Sequence, residues 1–211
     1  MPALDDIQSH LEAIYDLDIR ARVSDFLLDR RSLEQLVAAG VLAPELPQTD
    51  AQVLVLRDGG ELSVGVWLSE AVQAGLDGPR SLQVHCHATE AVSHFLMLLW
   101  TAREGRPIRL LDLELQAEID KVATALLEDL RVGGGGGRER LLQRLFEDVQ
   151  FLDHLGPEEQ ARYREAHRLA RGYAVHLSSL LERGPESMLA ELRRLYRLPN
   201  QGKVEHIARA A

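Results

Sequence analysis

The side chains best suited to chemistry are concentrated between residues 85 and 94. Glu90 and His94 are four residues apart, which places them on one face of a helix. His85 and His87 precede them, and their spacing of two puts them on one face of a predicted strand. Carboxylates and imidazoles are the groups that bind transition metals and transfer protons in proteins. This stretch is therefore the first candidate for a functional site.

The next predicted helix supplies a second acidic pair. Glu114 and Glu118 are also four residues apart, and Lys121 lies one turn further on. Because a buried carboxylate or imidazole needs a partner, the polar faces of two antiparallel neighbouring helices are expected to meet. Helical bundles build metal sites from such side chains. The resulting hypothesis is a divalent-metal site with the ligands Glu90, His94, Glu114 and Glu118, and more weakly His85 and His87.

Each of these residues also has a purely structural interpretation. Di-iron bundles carry a Glu three residues before a His on two helices, whereas this chain has one such pair, and its spacing is four. His94 can bond a single carboxylate at the edge of the core. Glu118 can form an ion pair with Lys121, and Glu90 can interact favourably with a helix dipole. The two interpretations differ in whether the four side chains converge on a shared ligand.

The composition is that of a folded, acidic globular protein. The chain has 211 residues, of which 45% are hydrophobic and 27% charged, and these values exclude a disordered or collagen-like chain. Its formal net charge is −9. Because phosphate-binding surfaces need clustered cations, this balance predicts no nucleic-acid binding. Arginine makes up 22 of the 24 basic residues, a bias that we attribute to GC-rich bacterial coding.

Two features predict a cytoplasmic location. Cys86 is the only cysteine, so an intramolecular disulfide cannot form and an oxidising compartment offers no stabilisation. The longest unbroken apolar run, residues 95–100, is far too short to cross a bilayer, and residues 1–15 lack the apolar core of a signal peptide. We therefore expect a cytoplasmic protein that has no contact with a membrane.

The pattern of apolar residues predicts a mostly helical α+β fold. Residues 52–57 and 61–68 flank Asp-Gly-Gly and predict a β-hairpin, and alternation over residues 81–87 predicts a third strand. Thr89 is the predicted N-cap of a helix that reaches residue 103. That helix is apolar on almost every side, which predicts a central position with Leu96, Leu99 and Trp100 in the core. We expect a small three-stranded antiparallel sheet packed against a helical bundle.

Five consecutive glycines, Gly133 to Gly137, divide the chain. Such a run cannot hold a helix, so it predicts a mobile linker. The expected organisation is residues 1–132 with the sheet and the central helix pair, a linker at 133–137, and helices over 138–211 packed on the same core. The longest of these helices is predicted over residues 157–182, where apolar side chains recur at spacings of three and four.

The chain contains none of the short motifs that mark a metalloprotease, an EF-hand or a phosphate-binding loop. We therefore expect a non-catalytic module that binds a protein partner or forms a homo-oligomer. One alternative is a metal-binding bundle with hydrolase or oxidase activity, centred on Glu90, His94, Glu114 and Glu118. A further alternative is a small-ligand sensor with a pocket between the sheet and the helix that carries Glu90.

Overall fold

The computed structural model describes residues 2–58, 61–78, 81–133, 137–147 and 156–210. Within these ranges the fold is mostly helical, with one two-stranded antiparallel sheet. The elements are α1 (Pro2–Tyr15), α2 (Arg30–Ala38), β1 (Ala51–Asp58), β2 (Glu61–Leu68), α3 (Glu70–Leu76), α4 (Leu82–Arg103), α5 (Leu110–Arg131), α6 (Arg138–Glu147), α7 (Pro157–Glu182), α8 (Pro185–Arg197) and α9 (Asn200–Ala210). The predicted α+β class is confirmed, and the predicted number of strands is wrong.

The predicted hairpin is present, and it is held between two layers of helix. The strands pair in continuous register from Ala51 opposite Leu68 to Asp58 opposite Glu61, and the two glycines of the turn lie outside the described residues. On one face, Val66 and Leu68 are buried in the main core beside α4. On the opposite face, Leu54 and Trp67 form a small second core with Leu33 of α2. Alternate side chains of the hairpin therefore pack into two different cores, one on each face of the sheet.

Residues 81–87 are not a strand but the cap and first turns of α4. The side chain of Ser81, rather than Thr89, is the N-cap, and its hydroxyl accepts a hydrogen bond from the Val84 N–H at 3.2 Å. This part of α4 also packs closely on α3. A Cβ at Gly75 would come within 2.5 Å of Val84 Cγ2, so glycine permits that approach. His85 and His87 are consequently helical residues that lie on different sides of α4.

Contacts between charged side chains establish the directions of α4, α5 and α7. Glu90 and His94 of α4 meet Lys121 and Glu114 of α5, so these helices run antiparallel. α7 runs parallel to α5, because Arg162 and His167 lie beside Glu114 and Glu118 in the same order. α1 packs on α4 and α8, and α9 packs on α7. α5 is therefore surrounded by helices along most of its length.

The regularly spaced apolar stripe of α7 is part of this core. The helix occupies the predicted range, Pro157–Glu182, and Ala170, Tyr173 and Leu177 are buried within the chain itself. Helices on both sides of the glycine run contribute to a single hydrophobic cluster. Residues 134–136 of that run lie outside the described residues. Among the helices that the structure describes, none is both long enough and apolar enough to cross a membrane.

Candidate functional site

α5 carries two polar stripes, and both are buried. Asp112, Gln116 and Asp120 recur every four residues on one face, where they are at most 2% exposed. Glu114 follows Asp112 by two positions, and Glu118 follows Gln116 by two. Two positions correspond to a rotation of about 200° around the helix axis, so the glutamates lie on the opposite face. The helix therefore separates two polar clusters. We call them the charge cluster (Glu90, His94, Glu114, Glu118, Lys121, Arg162, Tyr163 and His167) and the tyrosine cluster (Tyr15, Asp112, Gln116, Asp120, Tyr196 and Lys203).

Lys121 is the centre of the charge cluster. Its Nζ lies 3.1 Å from Glu90 Oε2 on α4 and 2.5 Å from Glu118 Oε1 on its own helix. The second carboxylate oxygen of Glu118 is 3.2 Å from Nδ1 of His167, whose Nε2 is 3.1 Å from the Phe146 carbonyl oxygen. Two of the predicted metal-ligating carboxylates thus bind the same ammonium group. Lys121 occupies the position that the metal hypothesis assigns to a cation.

Glu114 has a different environment from the other two carboxylates. Its Oε2 lies 3.6 Å from His94 Nε2, which is longer than a hydrogen bond, and its Oε1 lies 3.9 Å from Arg162 Nε. Both nitrogen atoms are buried without a hydrogen-bond partner among the described residues. The Tyr163 side chain lies beside the same carboxyl group. The structure therefore brings His94 and Glu114 together, apart from the pair that Lys121 holds.

Burial and neighbouring charges push the acidities of these groups apart. Burial and the negative charge of Glu90 raise the pKa of Glu114 to about 8, against the weaker opposing effects of Arg162 and Lys121. Burial would also raise the pKa of Glu118, but Lys121 and His167 more than offset it and lower the value to about 2. Burial lowers the pKa of His94, so the imidazole is neutral at pH 7. At pH 7, Glu114 is therefore protonated, whereas Glu118 is ionised.

This charge distribution accounts for the cluster without a metal ion. Glu114 contributes no charge at neutral pH, and the negative charges of Glu90 and Glu118 face Lys121, with Arg162 at the margin. In the part of the chain that the structure describes, no group of three or more His, Cys, Asp or Glu side chains is arranged to hold a metal. The four residues predicted as ligands do lie in one region, and metal binding by them stays a prediction.

The two weaker candidate ligands lie elsewhere. His85 Nε2 is 3.0 Å from the Thr124 hydroxyl on α5, one turn beyond the charge cluster. His87 faces the base of the hairpin, where its Nε2 is 3.4 Å from Asp50 Oδ2. Because the segment is helical, the two rings are separated by about 200° around the axis instead of sharing a face. The structure does not bring them to Glu90 and His94.

Sequence analysis did not predict the tyrosine cluster. The Tyr15 hydroxyl donates a hydrogen bond to Asp120, and Gln116 Nε2 donates to Asp120 Oδ1 at 2.8 Å and to the Tyr15 oxygen at 3.0 Å. Gln116 Oε1 accepts from Lys203 Nζ at 2.9 Å, and Lys203 is only 1% exposed. Two signals were available: the four-residue spacing that begins at Asp112, and the fact that Lys121 and Lys203 are the only lysines.

Both clusters join helices, and neither lines either of the two grooves described below. Burial raises the pKa of Asp120 to about 6 and lowers the pKa of Lys203 to about 8, so both groups are mainly ionised at pH 7. Two surface grooves of about 440 and 390 Å³ lie in the described part of the chain, and no residue of either cluster lines them. Neither groove lies between the sheet and the Glu90 helix, where the ligand-sensor alternative expects a pocket.

The tip of the hairpin is the other candidate region. Val55 and Leu62 are 47% and 58% exposed, although they lie on the strand face that buries Val66 and Leu68 closer to the base. The hairpin thus extends past the helices that cover its base. This overhang, Val55 and Leu62, presents apolar side chains to solvent at the end of a two-stranded sheet.

Comparison of the chain with protein-family models, curated proteins and solved structures gives no match. Function is therefore inferred from the geometry of the clusters and of the hairpin.

Proposed function

We propose that this protein is a non-catalytic module that associates with a second copy of itself through strand β1. The observation that carries the proposal is an unpaired outer edge of β1 beside the exposed side chains of Val55 and Leu62. The charge and tyrosine clusters support the non-catalytic part, because the buried ammonium groups at their centres, Lys121 and Lys203, bind side chains of neighbouring helices.

Hydrogen bonds at the other edge of the sheet establish which backbone groups of β1 point outward. The Leu28 N–H donates to the Val66 carbonyl at 2.8 Å, so the backbone of Val66 faces away from β1. Opposed residues in an antiparallel pair point both inward or both outward, and Val53 is opposite Val66. Val53 and, two residues on, Val55 therefore direct N–H and C=O groups outward. Within the described residues these groups have no backbone partner.

The edge lacks the features that protect exposed strands. Natural edge strands carry lysine, proline, an inward-facing charge or a bulge, each of which discourages pairing with another chain. Residues 51–56 have no charge and no proline, and the register with β2 is continuous across the strand. β1 is consequently competent to add a strand.

A second copy of this chain is the partner that the edge suits best. Antiparallel pairing of β1 with β1 around a two-fold axis uses the same residues on both sides and yields a closed dimer. It produces a four-stranded sheet, which is more stable than an isolated hairpin. A two-fold axis perpendicular to the sheet also keeps both overhangs on the same face of that sheet, with the two hairpin tips pointing in opposite directions.

The test is the oligomeric state of the purified protein, measured by sedimentation velocity at about 1 to 100 µM, which spans micromolar dissociation constants. We expect a dimer that dissociates in Val55→Pro, which removes an outward N–H, and in Val55→Lys. Val175→Lys is the matched control, because Val175 is 66% exposed on α7, and this variant should remain dimeric. A monomeric wild-type protein over the whole range, or dimeric Val55 variants, would overturn the proposal.

A further inference from the structure

Arginine side chains gather at one end of the helical bundle, around the segment that follows α1. Arg193 donates to the carbonyls of Ala13 and Ile14, and Arg197 donates to that of Asp16. Arg103 donates to the Asp18 carbonyl at 3.0 Å from the last turn of α4. These guanidinium groups satisfy carbonyls of the last turn of α1, which the helix leaves without partners, and of the segment that follows it.

The same end contains two more arginines. Arg106 donates to the carbonyls of Arg197 and Leu198 and lies over the Trp100 ring, with 4.9 Å from its Cζ to the ring centroid. Arg20 is exposed and makes no hydrogen bond or ion pair with a described residue. The five arginines of this region, which we call the arginine end, are Arg20, Arg103, Arg106, Arg193 and Arg197.

The arginine end is not neutralised by carboxylates of the chain. None of its five guanidinium groups lies within 4.0 Å of a carboxylate among the described residues. By contrast, Arg131 and Arg168 elsewhere on the surface lie 2.7 Å from Glu128 and Glu165. Residues 13–20, 103–106 and 193–197 contain these five arginines, Arg194 and the acidic residues Asp16, Asp18 and Glu104, so the local balance is +3 in a chain whose net charge is −9. The charge distribution is therefore strongly asymmetric.

A groove opens at this end between the segment after α1 and the last turns of α4. It has a volume of about 440 Å³ and is lined by Asp18, Ile19, Arg20, Ala21, Leu99 and Arg103. Arg20 and Arg103 supply guanidinium groups, and Ile19, Ala21 and Leu99 supply an apolar surface. Leu99 is partly buried, and Asp18, which is exposed, adds one carboxylate to the wall. The groove thus combines two guanidinium groups and one carboxylate with a partly exposed apolar surface.

We infer that this groove binds an organic anion of about nucleotide size that carries phosphate, with Arg20 and Arg103 holding the phosphate. A guanidinium group presents donors in a planar fork that matches phosphate oxygens. The groove is open to solvent, and like small-molecule sites it combines an apolar wall with a few polar groups. Ile19 and Leu99 contact the organic part, and the positive potential of the other arginines attracts the anion.

Bonds to backbone carbonyls account for the positions of four of these arginines but not for the site as a whole. Each guanidinium has five N–H donors, and the bond from Arg103 to the Asp18 carbonyl uses one of them. Arg20 bonds no carbonyl of a described residue, yet it lines the groove with Arg103 and the partly exposed Leu99. An anion with an organic part matches both the free donors and the apolar wall.

The test uses isothermal titration calorimetry of the wild-type protein with ATP, with inorganic pyrophosphate and with adenosine. We expect ATP to bind at least as tightly as pyrophosphate, and adenosine to give no measurable heat. Arg20→Gln should weaken ATP binding about tenfold or more, since it removes one charge-assisted contact and no structural bond. Arg103→Gln should weaken it as well, but this variant also loses the bond to Asp18.

Matched controls are Arg131→Gln and Arg168→Gln, in which an exposed arginine is removed far from the groove. Both should bind ATP within about twofold of the wild-type affinity, which is a negligible difference on the scale of binding free energies. Three results would overturn the inference: no binding of ATP or pyrophosphate by the wild-type protein, equal weakening by the control variants, or binding of adenosine as tight as that of ATP.

Discussion

Lys121 Nζ on α5 lies 3.1 Å from Glu90 Oε2 on α4, and this contact connects two helices that the sequence separates by 31 positions. The same ammonium lies 2.5 Å from Glu118 Oε1. Burial would lower the pKa of Lys121, but the two carboxylates raise it well above the ordinary lysine value. The ionised state of Lys121 therefore depends on the two carboxylates, and theirs depends on Lys121. Removal of one of these groups leaves a buried charge without its partner.

Replacement of Lys121 by methionine tests this dependence. Methionine fills a similar volume but leaves Glu90 and Glu118 buried with no cation, so the free energy of unfolding should fall by roughly 3–5 kcal/mol at pH 7. Urea denaturation measures the change. The double variant Glu90→Gln/Lys121→Met should recover part of the loss, because one of the two uncompensated charges is gone.

The control for this substitution is Arg131→Met. Arg131 forms an ion pair with Glu128 at a distance of 2.7 Å, but both side chains are more than half exposed. Exposed pairs contribute from 0 to about 1 kcal/mol, so this variant should remain near the wild-type stability. If Lys121→Met lowered the free energy of unfolding no more than Arg131→Met does, the buried ion pair would contribute no more to stability than the exposed one.

The protonated state of Glu114 predicts a pH dependence of stability. Its pKa is about 8 in the folded chain, against an ordinary value of 4.5, so the folded state binds more protons between these values. The contribution of this group to the free energy of unfolding therefore falls as the pH rises from about 4.5 to 8 and stays constant above that. Glu114→Gln, which cannot ionise, should be more stable than the wild type at pH 9 by roughly 1–3 kcal/mol.

Denaturation of both proteins at pH 5, 7 and 9 measures this difference, which should be smallest at pH 5. Glu165→Gln is the control, because the Glu165 side chain is partly exposed and the hydrogen bond from Arg168 lowers its pKa. Its titration ends below pH 5, so the substitution should leave the slope between pH 5 and 9 unchanged. If Glu114→Gln kept the wild-type slope, Glu114 would be ionised in the folded protein.

The metal hypothesis can be tested at His94 with zinc. Because Lys121 already binds Glu90 and Glu118, we expect an excess of Zn²⁺ to raise the thermal midpoint of the wild-type protein by less than about 1 °C. A site whose dissociation constant is well below the zinc concentration would add several kcal/mol to the free energy of unfolding. The thermal midpoint would then rise by much more than 1 °C. A large increase that disappears in His94→Ala but persists in His206→Ala would instead establish a metal site at His94 and Glu114.

Part of the charge cluster was predictable, because its first members come from consecutive helices. The four-residue spacings of Glu90 with His94 and of Glu114 with Glu118 predict faces that meet across an antiparallel pair, and they do meet. The partners from α7 were not predictable. Nothing local in the sequence shows that His167 lies beside Glu118, since their contact depends on a parallel crossover between distant helices.

The error at residues 81–87 has a physical origin. Alternation over seven residues indicates a strand only when one face is solvated, since the pattern then separates two environments. In α4 this segment has neighbours on several sides: Val84 meets α3, His85 meets α5 and His87 meets the hairpin. A helix contacted on several sides can bury apolar and polar residues in any order, so alternation in this segment does not indicate a strand.

The central helix provides a last prediction, from two leucines one turn apart. Sequence analysis places both Leu96 and Leu99 in the core, but the structure buries only Leu96, at 2% exposure, while Leu99 lines the groove at the arginine end. Leu96→Ala should lower the free energy of unfolding by roughly 2–5 kcal/mol, the cost of lost apolar contact plus a cavity. Leu99→Ala should cost only about 1 kcal/mol, because water can fill the space that the side chain leaves. Urea denaturation of both variants decides the matter, and equal losses would mean that Leu99 is packed as tightly as Leu96.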